Sequence, residues 1–149
     1  MSKKEETTPI AEKKATITIK FERLQKVDLI YGSLLKEESF ENTKLGYAFK
    51  RFVDKNKQFF VDYNEALHEV RIDNALTDEK TKALIIDNST GRGYAYGKEE
   101  LKKLLKEEKA ITEKFKDKDC EVEPWIFKGD ITDFKLDQDD VEVLTGLIL

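Results

Sequence analysis

From Leu45 to Val70 the chain places Leu45, Phe49, Phe52, Asn56, Phe59, Tyr63, Ala66 and Val70 at alternating steps of four and three. Residues so spaced share one stripe of an α-helix. Val53, Phe60 and Leu67 run beside the stripe at seven-residue intervals and widen its apolar face. No proline falls between Phe40 and Asn74. The pattern predicts one helix from about Phe40 to Leu76, with Ser39 as its N-cap and room for a bend near Gly46. At a rise of about 1.5 Å per residue it would be about 50 Å long. Asn56 is the one polar position in the seam, a placement that fixes register at a cost in stability.

Shorter elements flank this seam. Thr16 to Phe21 alternates and is β-branched, which predicts a strand. Leu24, Val27, Ile30, Tyr31, Leu34 and Leu35 predict an amphipathic helix over about 22–36. Ala83 to Asp87 reads as a strand, Asn88 to Gly93 as turn chemistry and Tyr94 to Tyr96 as the returning strand of a hairpin. Gly97 opens a helix from Lys98 to about Lys116, whose apolar side is Leu101, Leu104, Leu105, Ile111 and Phe115. Cys120 to Phe127 alternates around Pro124, which predicts an edge strand. Asp137 can cap a final helix over about 138–148 that carries Val141, Val143, Leu144, Leu147 and Ile148. An apolar end of this kind is expected to be docked. The fold class that follows is α+β and helix-dominated: a helical hairpin with one long central helix, a small antiparallel sheet and a C-terminal helix. Residues 1–15 read as a flexible polar arm and 16–149 as a single domain.

Composition narrows the class. The 149 residues include nine Phe, five Tyr and one Trp, more aromatic character than disordered chains carry. A single cysteine rules out a disulfide framework within the chain. No apolar run approaches the roughly 20 residues that span a bilayer, so no membrane partner is expected. The N-terminal stretch lacks the apolar core of a secretory signal. The net charge of −4 is unevenly spread: from Asp117 onward ten acidic residues face three lysines, a net of −7. Such an asymmetry can orient a docking partner. It opposes binding to a nucleic-acid backbone, which takes its affinity from lysine and arginine. The eight lysines from Lys98 to Lys118 are interleaved with six acids and do not form a basic stripe.

Each candidate for chemistry meets a simpler reading. Gly91-Arg92-Gly93-Tyr94-Ala95-Tyr96-Gly97-Lys98-Glu99 invites a phosphate loop. Neither Gly91 nor Gly93 stands five positions before Gly97, and Glu99 occupies the place of the magnesium-binding hydroxyl. The dinucleotide fingerprint fails as well, with its third glycine one residue late. A turn running into a helix accounts for the segment. His68 is the only histidine, whereas zinc favours several Cys or His ligands. Cys120 stands between Asp119 and Glu121, which would raise rather than lower a thiol pKa. The acids Asp130, Asp133, Asp137, Asp139, Asp140 and Glu142 fit no frame of the EF-hand calcium loop. No catalytic residue, cofactor or metal is therefore expected.

The order of elements, the Lys, Glu, Asn and Phe richness and the terminal run Val141-Glu142-Val143-Leu144-Thr145-Gly146-Leu147-Ile148-Leu149 resemble small uncharacterised proteins of tailed bacteriophages. The resemblance spans residues 16–149 as a pattern and carries no catalytic residue across. It implies a viral protein working in the bacterial host cytoplasm or in the virion, as a virion component or a binder of host machinery. The expected function is non-enzymatic protein–protein contact in phage structure or assembly. The partner is a second copy or a phage or host protein, not a nucleic acid. The expected contact residues are Phe49, Phe52, Phe59, Phe60 and Tyr63 on the seam and Asp137, Asp139 and Asp140 at the acidic end; the simpler reading of the seam is intramolecular, with the first helix covering its N-terminal half and the Lys98–Lys116 helix its C-terminal half. Two alternatives remain open: an inhibitor of a host protein whose acidic C-terminal region mimics nucleic acid, and a small enzyme.

Overall fold

The computed structural model describes residues 15–149. All of the expected polar arm except Ala15 lies outside the described residues. The fold is helix-dominated α+β, with five α-helices and two small antiparallel sheets among the described residues. The backbone gathers into two compact units. The first takes residues 15–57 together with Asp119–Leu149, and the second takes Gln58–Lys118.

In the first unit, β1 (Ile17–Lys20) pairs antiparallel with β4 (Asp119–Val122). The register sets Ile17 opposite Val122 and Ile19 opposite Cys120, so one face of the ribbon is apolar. Ile19, Cys120 and Val122 are buried. Helix α1 (Phe21–Leu34) follows at once and buries Phe21, Leu24, Val27 and Leu34, a spacing that holds one helical face to the core. Helix α2 (Lys44–Asn56) adds Leu45, Ala48, Phe49 and Phe52. Tyr31 stacks on Phe49 with ring centroids 5.3 Å apart, and Phe40 meets Phe49 and Phe134 edge-on at 6.0 and 5.7 Å. Helix α5 (Gln138–Leu144) ends in a turn at Gly146, with φ 87°, that folds Leu147 and Ile148 into the core. Trp125 and Phe127 donate backbone hydrogen bonds to the Leu147 and Ile148 carbonyls, so the apolar C-terminal end is docked as its composition predicts.

The second unit is a helical hairpin. Helix α3 (Gln58–Asn74) and α4 (Lys98–Lys116) run antiparallel, as their cross-links show: Tyr63 to Thr112, Arg71 to Glu108 and Asn74 to Glu107. Between them, β2 (Ile86–Asp87) and β3 (Gly93–Tyr94) form a minimal hairpin around a 3-10 turn at Asn88–Thr90. Gly91 and Gly93 carry φ of 75° and 89°, a backbone that glycine adopts without strain.

The expected helix over residues 40–76 is divided, for local reasons that apolar spacing does not report. Ser39 adopts φ 71° and makes no side-chain cap. A 3-10 turn at Phe40–Asn42 follows, and Thr43 is the N-cap, its Oγ1 accepting from the Gly46 amide at 2.9 Å. Gly46 is required there, because a Cβ would strike the Phe40 carbonyl oxygen. A single turn residue, Lys57, then separates α2 from α3, although its own dihedrals (−63°, −23°) are helical. The other edges move less. The strand expected over Cys120–Phe127 pairs only as far as Val122, and the final α-helix stops at Leu144.

Candidate protein-contact surface

In the first unit, α1 and α5 lie side by side and leave a groove between them. Its central hollow, about 490 Å³, is walled by Lys26, Leu29 and Ile30 on α1 and by Asp139, Asp140, Glu142 and Val143 on α5. It shares Lys26, Glu142 and Val143 with a hollow next to β1, and Leu29, Ile30 and Asp140 with another that reaches Lys135. The result is an open trough along two helix faces: its central hollow sets Asp139, Asp140 and Glu142 against Lys26, and the flanking hollows add Lys20, Arg23 and Lys135 against Glu22. Leu29 is 72% exposed, the largest exposure among the large hydrophobic side chains described. Scattered exposed leucines are ordinary, but an apolar strip with charged edges is the form that contact sites take.

Local interactions hold the rim in place. Asp137 and Asp140 form a capping box: Asp137 Oδ1 accepts from the Asp140 amide at 2.8 Å, and Asp140 Oδ2 accepts from the Asp137 amide at 3.2 Å. At the other end of α5, Arg23 donates from Nε to the Val143 carbonyl at 3.0 Å and from Nη2 to the Thr145 carbonyl at 2.7 Å. The guanidinium thus occupies orphan carbonyls where a helix favours positive charge.

The structure sorts the expected contact residues into three groups. Phe49 and Phe52 have no accessible surface and serve as core of the first unit, which removes them from any contact surface. Phe59, Phe60 and Tyr63 are half-buried in the second unit. There Tyr63 shares a hydrogen bond with Thr112 Oγ1 at 3.0 Å and sets its ring edge-on to Phe115. Among the acids, Asp137 and Asp140 cap α5, and Asp139 stands exposed on the groove. Leu29 and Ile30 on α1, and Glu142 and Val143 on α5, were not expected at a contact site. The signal for one of them was available, since Leu29 falls off the spacing that places Leu24, Val27, Tyr31 and Leu34 together.

The other candidates have structural partners. Arg92 grips Glu108 through Nε (3.0 Å) and Nη2 (2.8 Å), and Arg71 Nε reaches the same carboxylate at 2.7 Å. The Arg92 hydrogen bond is the main reason that the Glu108 carboxyl lies below its usual range; burial pulls the other way, and Arg71 adds to the lowering. Tyr96 donates to the Arg71 carbonyl at 3.0 Å, and burial is the main influence raising its phenol. This cluster ties the hairpin to α3 and α4 and uses both carboxylate oxygens in doing so. His68 is exposed on α3, with its ring 6.3 Å from that of Tyr94. Cys120 is buried on β4. Gly91 to Tyr94 forms the β2–β3 turn, and Gly97 precedes α4 as its N-cap. Among the described residues no three His, Cys, Asp or Glu side chains stand close enough to hold a metal ion, and no helix is long and apolar enough to cross a membrane.

No protein-family model, curated protein or solved structure matches the chain.

Proposed function

We propose that this protein is a non-enzymatic interaction module that takes a segment of a protein partner into the α1/α5 groove. The observation that carries the reading is Leu29, 72% exposed at the edge of a trough whose other wall presents Val143 between acids. Helix-in-groove recognition uses such a surface: apolar anchors enter the floor and charges at the rim set orientation. The α5 wall of the central hollow carries three acids against Lys26 on α1, so the favoured partner presents an apolar anchor flanked by lysine or arginine. The resemblance to small tailed-phage proteins supplies a setting, a virion or its assembly in the host cytoplasm, where a contact module of this size serves.

The mimicry alternative has less support. Two of the acids it relies on, Asp137 and Asp140, are engaged with each other's backbone at the start of α5. A row of evenly spaced, unengaged carboxylates would favour it more.

The test is a titration of amphipathic helical peptides, identical in apolar residues but flanked by Lys or by Glu, followed by amide chemical shifts. The expected result is that Lys-flanked peptides shift residues around Leu29 and Val143, and that Leu29→Asp abolishes the effect. Equal binding of both peptides, binding elsewhere, or an unaltered response in Leu29→Asp would overturn the proposal.

A further inference from the structure

The first unit carries a second surface of opposite sign. Residues 44–57 hold five basic residues against the single acid Asp54, a net of +4, while residues 119–149 net −7. On α2, Tyr47, Arg51 and Lys55 recur at four-residue intervals and so share a face of about 12 Å. Trp125 lies against that face. Tyr47 meets its ring edge-on at 6.2 Å, the Arg51 guanidinium carbon stands 4.9 Å from its centroid, and Lys55 Nζ stands 5.7 Å away. The two cations rest mainly on a π-face. Among the described residues Arg51 Nε is buried without a hydrogen-bond acceptor, and Lys55 makes a loose ion pair, 3.8 Å from Glu123. Tyr47 is 54% exposed. None of these residues lines the α1/α5 groove.

We infer that the occupant of the groove is a second copy of this chain, presenting the Tyr47–Arg51–Lys55 face of its α2. The inference rests on the reading of the groove as a contact surface and names its partner. Tyr47 supplies the apolar anchor for Leu29, Ile30 and Val143, and the two cations turn toward Asp139 and Glu142. The spacings agree: Arg51 and Lys55 differ by about 6 Å along their helix, and Asp139 and Glu142 by about 4.5 Å along theirs. Because the groove and the Tyr47–Arg51–Lys55 ladder on α2 are separate patches, the contact is heterologous. Every copy that joins leaves one groove and one ladder open, so association continues to a ring or a filament. Ionic strength weakens it, since pairing of opposite charges guides it.

The experiment uses the full chain in sedimentation velocity over a range of concentrations, in low and high salt. The wild type is expected to grow in size with concentration in low salt and to shrink toward the monomer in high salt. Asp139→Asn with Glu142→Gln neutralises the groove rim, and Arg51→Gln with Lys55→Gln neutralises the ladder; each double variant is expected to remain monomeric. Mixed in equal amounts, they retain one good groove and one good ladder between them and should form dimers and nothing larger. Tyr47→Ala, at an exposed position, gives a second ladder variant that leaves the Trp125 contacts of Arg51 and Lys55 in place, and thermal melting confirms that each variant is folded. A wild type that stays monomeric in low salt, or mixed variants that fail to pair, would overturn the inference. If that monomer still binds the Lys-flanked peptide at Leu29, only the identity of the partner has failed; if it binds neither, the groove reading fails with it.

Discussion

The Asn56 side chain and the Glu123 backbone exchange two hydrogen bonds across 67 positions of sequence: Glu123 N donates to Oδ1 at 2.9 Å, and Nδ2 donates to the Glu123 carbonyl at 3.0 Å. The same Nδ2 also donates to the Phe52 carbonyl at 2.8 Å. The side chain is 2% exposed, so water cannot replace these bonds if it is removed. Asn56→Ala should cost about 2 kcal/mol, the usual penalty for stranding buried partners. Asn56→Asp keeps the acceptor for Glu123 N but turns a carboxylate toward two carbonyl oxygens. Its loss should exceed that of Asn56→Ala at neutral pH and diminish in acid, where a protonated carboxyl can donate again. Urea unfolding read by the fluorescence of Trp125, two residues beyond Glu123, measures both.

Gly46 and Gly32 make a controlled pair. Both lie within helices, where alanine is preferred over glycine by roughly 1 kcal/mol. A Cβ on Gly32 meets nothing within 4 Å, so Gly32→Ala should stabilise by up to about 1 kcal/mol. A Cβ on Gly46 meets the Phe40 carbonyl oxygen and, at 3.1 Å, Glu41 Cα, both backbone atoms of the turn that starts α2. Gly46→Ala should therefore destabilise, by about 1–3 kcal/mol as overpacked sites do. Thermal melts of the two variants should move in opposite directions. A gain in Gly46→Ala would show that the turn is looser than the contact implies.

These residues also show what can be read from sequence and what cannot. Helix α4 lies where Gly97 and its leucine spacing predict, and Asp137 caps α5, because both signals are local. The seam through Phe49 and Phe52 was legible as an apolar face, but periodicity says that a face is covered without saying by what. Both phenylalanines belong to the core. The interruption at Lys57 leaves no mark on the four-three spacing, since the residue keeps helical dihedrals. Asn56 was visible as an odd polar position, whereas its partner Glu123 was not. The pairing of β1 with β4, which joins Lys20 to Asp119 across 99 positions, was equally invisible. The groove required that pairing to be known, because it depends on a C-terminal helix returning to α1.

Glu108 gives the second unit a defined response to acid. Its carboxyl sits below its ordinary value, chiefly through the Arg92 hydrogen bond and against the opposing effect of burial. A carboxylate with a depressed folded pKa contributes fully above its unfolded value, near about 4.3, and loses that contribution as pH falls through the folded value. Stability should therefore be level at neutral pH and decline below about 4 as far as this group is concerned. Glu108→Gln removes the ion pairs with Arg71 and Arg92. It should be less stable than the wild type at pH 7, by a margin that narrows on acidification. Hydrogen exchange of α3 and α4 amides at several pH values separates this group from other acids with lowered pKa, such as Asp78 and Asp130, which both proteins share.

Helix α5 has only seven residues, too few to be stable alone. It depends on the capping box at its start, on Arg23 at its end and on Leu144, Leu147 and Ile148 beneath it. Asp137→Ala should cost about 1 kcal/mol, as loss of an N-cap does. Arg23→Gln removes the charge and the fork that reaches two carbonyls, with an expected cost of about 1.5–3 kcal/mol for hydrogen bonds to a charged group. Arg23→Lys should recover little of it, because an ammonium is a point donor and cannot reproduce the planar fork. Hydrogen exchange of the Leu147 and Ile148 amides, which bond to the Leu144 carbonyl, reports on the closed turn directly. The same substitution reaches the contact surface, since Asp139, Glu142 and Val143 hold their places on the groove only while α5 is formed. Arg23→Gln should therefore weaken binding of the Lys-flanked peptide although Arg23 does not line the central hollow. Unchanged protection of Leu147 and Ile148 in that variant would mean that core packing alone holds the helix, and the weakened binding should then be absent as well.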